Sequence, residues 1–197
     1  MTTDSTEQLD AADMARLVEG QDAALNSLME RHAEKVFHYL IRQLQSEEDA
    51  ADLAQETFVR VYQNCGRFKP TAKFTTWLYT IATNLVRDRF RWRARHPQVA
   101  LEAENQSTGG TLGEALADEN PGPAEELQRA ERVEVVRRAV ARLPEDLRTA
   151  ILLAEYEGHS QAEIAIIAGC SVKAVESRIS RAREKLRSHL AHLADCF

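Results

Sequence analysis

The sequence predicts an all-α protein made of two small helical bundles joined by a flexible acidic linker, the second bundle containing a helix-turn-helix. Helical periodicity runs through nearly all of the 197 residues while strand signals are nearly absent. A stretch of linker composition interrupts that pattern once, between Gln98 and Pro123. Charge also changes sign in blocks: residues 1–56 carry −9, 57–97 carry +8, 98–135 carry −7, 136–170 carry −1 and 171–197 carry +3. The net charge of −6 therefore conceals two basic blocks, each suited to a polyanion, with an acidic segment between them.

The elements follow in order. A first helix is expected from Asp10, as N-cap, to Gly20, with Met14, Leu17 and Val18 inward. A longer one, Asp22 to Leu44, carries the stripe Leu25, Leu28, Met29, Val36, Leu40, Ile41 and Leu44. Ser46 opens a third helix, with Asp49 placed to reach back to the cap, and Gly66 stops it. A basic, Pro-interrupted loop, Arg67 to Lys73, leads to a fourth helix from Phe74 to Arg95, whose last turns alternate arginine with Phe90 and Trp92. Pro97 closes the bundle. The stretch from Gln106 to Thr111 and the run Asn120-Pro121-Gly122-Pro123 mark the linker, so domains are expected at 1–97 and 124–197, with 98–123 between them.

In the second bundle Leu127, Val133, Val136, Val140 and Leu143 mark one helix, and Pro144 starts another that Gly158 stops. Ser160 and Glu163 form a capping box, in which the serine covers a free N–H and the glutamate reaches back. That short helix ends at Gly169, and Ser171 caps a long basic helix with Val175, Ile179, Ala182, Leu186 and Leu190 inward. Short helix, glycine turn and long basic helix describe a helix-turn-helix. Its outward face is read as Lys173, Ser177, Arg178 and Arg181, groups able to hydrogen-bond base edges and phosphates. In the first bundle, cations combined with Phe68, Phe74, Trp77, Phe90 and Trp92 suit single-stranded nucleic acid, where bases stack on rings while guanidiniums hold phosphates. Phe74 and Trp77 equally fit a core.

Four segments in register resemble the extracytoplasmic-function (ECF, group IV) subfamily of bacterial RNA polymerase sigma factors. Asp52–Tyr62 (DLAQETFVRVY) is similar to region 2.2, and Lys73–Leu85 (KFTTWLYTIATNL) to regions 2.3 and 2.4. Leu143–Arg148 (LPEDLR) and Ser177–Glu184 (SRISRARE) resemble the opening and the recognition helix of region 4. The resemblance implies a sigma factor without enzymatic activity that binds core RNA polymerase and promoter DNA, double- and single-stranded. It implies polymerase docking by Asp52, Gln55 and Glu56, and capture of the −10 element by Arg67, Lys73, Trp77 and Asn84. Arg87, Arg91 and Arg95 would then hold phosphates. For the −35 element it implies Ser160, Lys173, Ser177, Arg178 and Arg181. Glu176 stands where relatives often carry a basic or polar base-reading residue, which bears on −35 specificity. Many members are held inactive by a cognate anti-sigma factor, a further candidate partner.

The alternative reading is a conventional helix-turn-helix regulator that acts without docking on polymerase; it leaves the basic-aromatic loop and acidic face unexplained. A helical DNA-processing enzyme would need a nucleophile or clustered metal carboxylates, and Asp88 alone supplies neither. No catalytic residue, cofactor or metal is expected. His189, His192 and Cys196 fall short of the four ligands of a structural zinc. The amino terminus has no signal-peptide pattern and no run approaches a membrane span. With three scattered cysteines, the expectation is a cytoplasmic protein without membrane contact.

Overall fold

The computed structural model describes residues 3–96 and 123–194, and every regular element among them is helical. Eight α-helices run α1 Thr3–Val18, α2 Ala23–Leu44, α3 Glu47–Gln63, α4 Phe74–Arg95, α5 Pro123–Ala141, α6 Glu145–Glu155, α7 Gln161–Ala168 and α8 Val172–Ala194. A 3-10 turn, Cys65–Arg67, links α3 to the basic loop. The expected linker lies outside the described residues except for Pro123, which opens α5 in the N1 position proline suits. The side chains of Leu127 and His192, and all of Cys196, also lie outside them.

Local chemistry sets most boundaries. Ser46 accepts from the Asp49 N–H at the start of α3, and Ser171 accepts from the Ala174 N–H at the start of α8. The capping box of α7 is complete: Ser160 Oγ accepts from the Glu163 N–H, and the Glu163 carboxylate accepts from the Ser160 N–H at 2.7 Å. Gly169 then stops α7 in the left-handed region at φ 63°, where a Cβ would be strained. Gln45, at φ 55°, is the single non-glycine in that region among the described residues. It is held there by its own Nε2–H donating to the Arg42 carbonyl.

Two capping expectations change. Asp10 is not a cap: α1 begins at Thr3, and Asp10 is 1% exposed, accepting from Arg31 Nε at 2.9 Å and facing His32 Nε2 at 2.8 Å. A carboxylate with two such partners is worth burying, whereas a lone buried charge is not. Asp49 does not turn back to its cap either. Its carboxylate takes Arg89 Nη1 at 2.6 Å and Arg93, fastening the start of α3 to the end of α4.

The apolar stripes of α1–α4 meet around Met14, Leu28, Tyr39, Leu40 and Leu78. Those of α5–α8 meet around Leu143, Leu152, Leu153, Ile164, Ile167 and Val175. Each such side chain, fully removed from water, contributes roughly 1.5–3 kcal/mol. Val18 and Met29, expected on inward stripes, are exposed at the edges of α1 and α2, and of the residues that mark α5 Val136 is exposed while Val140 is buried. The two bundles are also packed on one another. Helix α4 lies against α7, and α2 against α5 and α6, so the buried residues form one continuous cluster.

Candidate nucleic-acid interface

At 100° per residue, Trp77, Asn84, Arg91 and Arg95 fall on one face of α4, within roughly 40° of each other, while Arg87 is turned about 60° aside. Asn84, Arg91 and Arg95 are exposed, and Trp77 is half-buried. Trp77 belongs to an aromatic cluster with Phe68, at 5.4 Å between ring centroids, and Phe74, at 6.3 Å. Phe74 is core, 3% exposed, and touches the His32 ring at 5.3 Å. The loop is thereby anchored at Phe68, with Arg67, Lys69 and Lys73 left outward. Trp92 stacks on His96 at the exposed end of α4. Arg91 pairs with Asp88 three residues back, an exposed pair that water and salt weaken. Arg89 and Arg93 are engaged by Asp49, so the last turns of α4 divide into arginines that hold the fold and arginines that face solvent.

In the helix-turn-helix, Val175, Ile179 and Ala182 are buried against α6 and α7. Lys173 and Arg181 stand on the opposite, exposed face. Half-buried Ser177 accepts from Arg181 Nη2 at 2.8 Å, which orients the guanidinium before any ligand arrives. Arg178 departs from the outward face expected of it. It is half-buried at the edge of the helix, 3.3 Å from Asp146 of α6 and 3.3 Å from Cys170 Sγ, because its position is turned about 100° from Ser177. Ser160 is exposed at the start of α7, with its hydroxyl committed to Glu163 at 2.8 Å.

On α3, Asp52 and Gln55 are exposed, and Glu56 accepts from Arg60 Nε at 2.8 Å one turn later. These three share a face, as the i, i+3, i+4 spacing requires. Arg148, quoted in the sequence only as part of LPEDLR, is the polar residue that sequence reasoning missed. Its guanidinium is buried and donates to the carbonyls of Gln43, Ala141 and Leu143. Burial pulls its pKa below the ordinary arginine value, with Glu145 opposing. A basic residue within the run Leu147 to Leu153, which is otherwise uncharged and nearly all apolar, was the available signal.

Two helical heads on one chain, one carrying an amide, a half-buried indole and arginines along a single helix and the other a basic helix-turn-helix, have the form of a nucleic-acid reader with two contact points. Comparison with known proteins settles which. Sigma-70 region 2 matches residues 28–96 and Sigma-70, region 4 matches residues 134–186. The ECF RNA polymerase sigma-E factor of Escherichia coli (strain K12) is 39% identical over 186 residues, covering 92% of this chain and 94% of that protein. The protein of the same name from Haemophilus influenzae is 38% identical over 192 residues, covering 95% and 98%. Among solved structures, CnrH in complex with the cytosolic domain of CnrY superposes with a TM-score of 0.66 at 28% identity, over 93% of this chain and 98% of that one. The sigma factor RpoE of Bartonella quintana, in complex with the anti-sigma factor NepR, shares the fold at a TM-score of 0.61 and 22% identity, over 84% and 96%.

The chain belongs to the ECF family of RNA polymerase sigma factors. It binds core RNA polymerase and promoter DNA and directs promoter-specific initiation; a regulator acting without the polymerase is not favoured. No described helix is long and apolar enough to cross a membrane. Among the described residues no group of three or more His, Cys, Asp or Glu side chains could hold a metal ion.

Proposed function

We propose that residues 1–97 dock on core polymerase and open the −10 element, that residues 124–197 read the −35 element, and that residues 98–123 tether the two. The observation that carries the −10 assignment is the shared face of Trp77, Asn84, Arg91 and Arg95 beside the outward loop Arg67 to Lys73. A base leaving the duplex needs a ring to stack on and a donor–acceptor pair to read its edge; Trp77 and Asn84 offer these one above the other. Arg91 and Arg95, with Arg87 to the side, hold phosphates of the same strand. Lys73 adds a further cation at the head of the helix.

Arg181, oriented by Ser177, with Lys173 two turns earlier, supports entry of α8 into the −35 major groove. Arg178 acts from the helix edge toward the backbone, and Ser160 offers the start of α7 to a phosphate. Asp52, Gln55 and Glu56 form the acidic docking face for polymerase. The protein works in the cytoplasm, where its polymerase is, and an anti-sigma factor is a partner by analogy with the sigma factor RpoE of Bartonella quintana.

Transcription in vitro with purified core polymerase and a promoter library tests these assignments. Asn84→Ala and Arg181→Ala should each reduce initiation by roughly 5–150-fold, the equivalent of about 1–3 kcal/mol of lost readout, while core binding persists. Initiation at wild-type level by either variant overturns the assignment of that residue.

A further inference from the structure

Helix α4 carries the proposed reading groups of the first head, and no side chain caps its start. Its N-cap is Lys73, which makes no capping hydrogen bond, whereas serines cap α3, α7 and α8. From Arg67 to Lys73 every residue except Phe68 is exposed. The pose of the loop and of Trp77 is therefore set by what their rings rest on. Phe74 is the hub: it is buried, and Phe68 and Trp77 each lie 6.3 Å from it, centroid to centroid. Behind it stands the His32 ring of α2, at 5.3 Å and tilted by 54°. Behind His32 stands Asp10 of α1. A carboxylate can only accept, so the imidazole Nε2–H donates to it at 2.8 Å, where His32 is 5% and Asp10 1% exposed. Arg31 fastens Asp10 with a second bond, donating Nε–H at 2.9 Å, and also reaches Asp13. Helix α1 meets the loop at its margins as well: it packs on the turn Cys65–Arg67, and Glu7 lies 2.7 Å from Lys73 Nζ.

We propose that Asp10 and His32 are positioning residues for promoter opening. Both are buried and touch no DNA; together they hold Phe74 so that Trp77 and the loop stand in the pose that receives an unstacked base. The proposal deepens the −10 assignment above and rests on it. An aliphatic side chain at position 32 would fill the space behind Phe74 but leave its own pose to packing alone. A hydrogen bond to a carboxylate that Arg31 also clamps fixes the direction of the ring. A ring held ready spares the ordering that binding would otherwise demand, and ordering one such side chain at the moment of binding is worth about fivefold. That gain falls where the duplex must also be unstacked, so it appears in opening and not in docking on core polymerase, which is assigned to α3. The brace lies wholly within the first head and owes nothing to the seam between the two heads.

The chain's two tryptophans, Trp77 and Trp92, supply matched reporters on one helix. In the full chain carrying Trp92→Phe, acrylamide quenching of fluorescence reads Trp77 alone. In the chain carrying Trp77→Phe it reads Trp92, about four turns further along. His32→Gln keeps an N–H for Asp10 and takes the ring from Phe74; His32→Phe keeps the ring and removes the bond. Each should raise the quenching of Trp77 about twofold and leave that of Trp92 unchanged. In holoenzymes with both tryptophans in place, each should slow the opening of a duplex promoter about fivefold, with competition for core polymerase unchanged. Permanganate reactivity of the −10 thymines follows that opening. Unchanged Trp77 quenching in either variant overturns the brace. Equal loosening at Trp92 means a head loosened throughout and overturns a positioning role. A looser Trp77 with opening at the wild-type rate overturns the link to melting. The two substitutions remove different groups, so loss of fold in one leaves the other to decide. Failure of the −10 assignment looks different: an Asn84→Ala holoenzyme initiates normally while Trp77 still responds to His32.

Discussion

Replacing Arg148 with methionine isolates the cost of stranding carbonyls at the seam. The side chain is 9% exposed, and its guanidinium serves three carbonyls: Ala141 at the end of α5, Leu143 in the turn that follows it, and Gln43 near the end of α2. Hydrogen bonds from a charged donor are worth roughly 1.5–3 kcal/mol each, so about 4–9 kcal/mol of interaction disappears. Burying one guanidinium costs several kcal/mol, and that cost disappears too. Methionine fills similar volume, which removes the cavity contribution. The carbonyls decide the sign, because no apolar side chain can satisfy them, and a net loss of about 3 kcal/mol remains. In a chain of this length that lowers the melting temperature by roughly 6–12 °C. Arg148→Lys, with one ammonium for three acceptors, should fall between the two. Thermal and guanidinium unfolding followed by circular dichroism measure all three proteins. A methionine variant as stable as the wild type would refute the reasoning, since the desolvation relief would then outweigh three lost bonds.

Asp49→Ala releases Arg89 and Arg93 together and should destabilise the first head by about 2 kcal/mol, less than a fully buried pair costs because both arginines are partly wet; denaturant midpoints check it. Glu134 is held down to about 2 from 4.5, first by its hydrogen bond from Arg137 and then by that from Arg138, with burial opposing. A folded pKa below the unfolded one stabilises above about 4.5 and loses that contribution as pH falls toward 2, so the stability difference between wild type and Glu134→Gln should shrink over this window. Equal differences at pH 6 and pH 2.5 would contradict the pairing. Gln55→Ala/Glu56→Ala should weaken competition for core polymerase by roughly tenfold with the melting temperature held, because both side chains lie on the outer face of α3; unchanged competition removes them from the docking face.

What the chain makes legible without coordinates is whatever it encodes within a few residues. The ends of α4 at Phe74 and Arg95 follow from the loop before and the basic turns within, and the Ser160–Glu163 box and Gly169 place α7 to the residue. Buried polar side chains are illegible in the same way that their partners are distant. Asp10 reads as a cap because aspartate is common there, yet its partners stand 21 and 22 residues away. Asp49 reads as a reciprocal cap, yet its arginines stand 40 and 44 residues on. Periodicity says which face of a helix a charge occupies; it cannot say which other helix meets that face.

The same limit explains how Lys73 and Arg87 carry two readings at once. Their neighbours in sequence mark them as nucleic-acid cations, and their neighbours in space are carboxylates of the other head. A carboxylate on either cation lowers the charge it can offer a phosphate, so the two readings compete for the same groups. Nor is the seam between the heads polar alone: α4 packs on α7 as extensively as on α3, and the buried residues of both heads form one continuous cluster. A charge pattern read along the chain therefore names the cations, and only the packing of the two heads names what holds them.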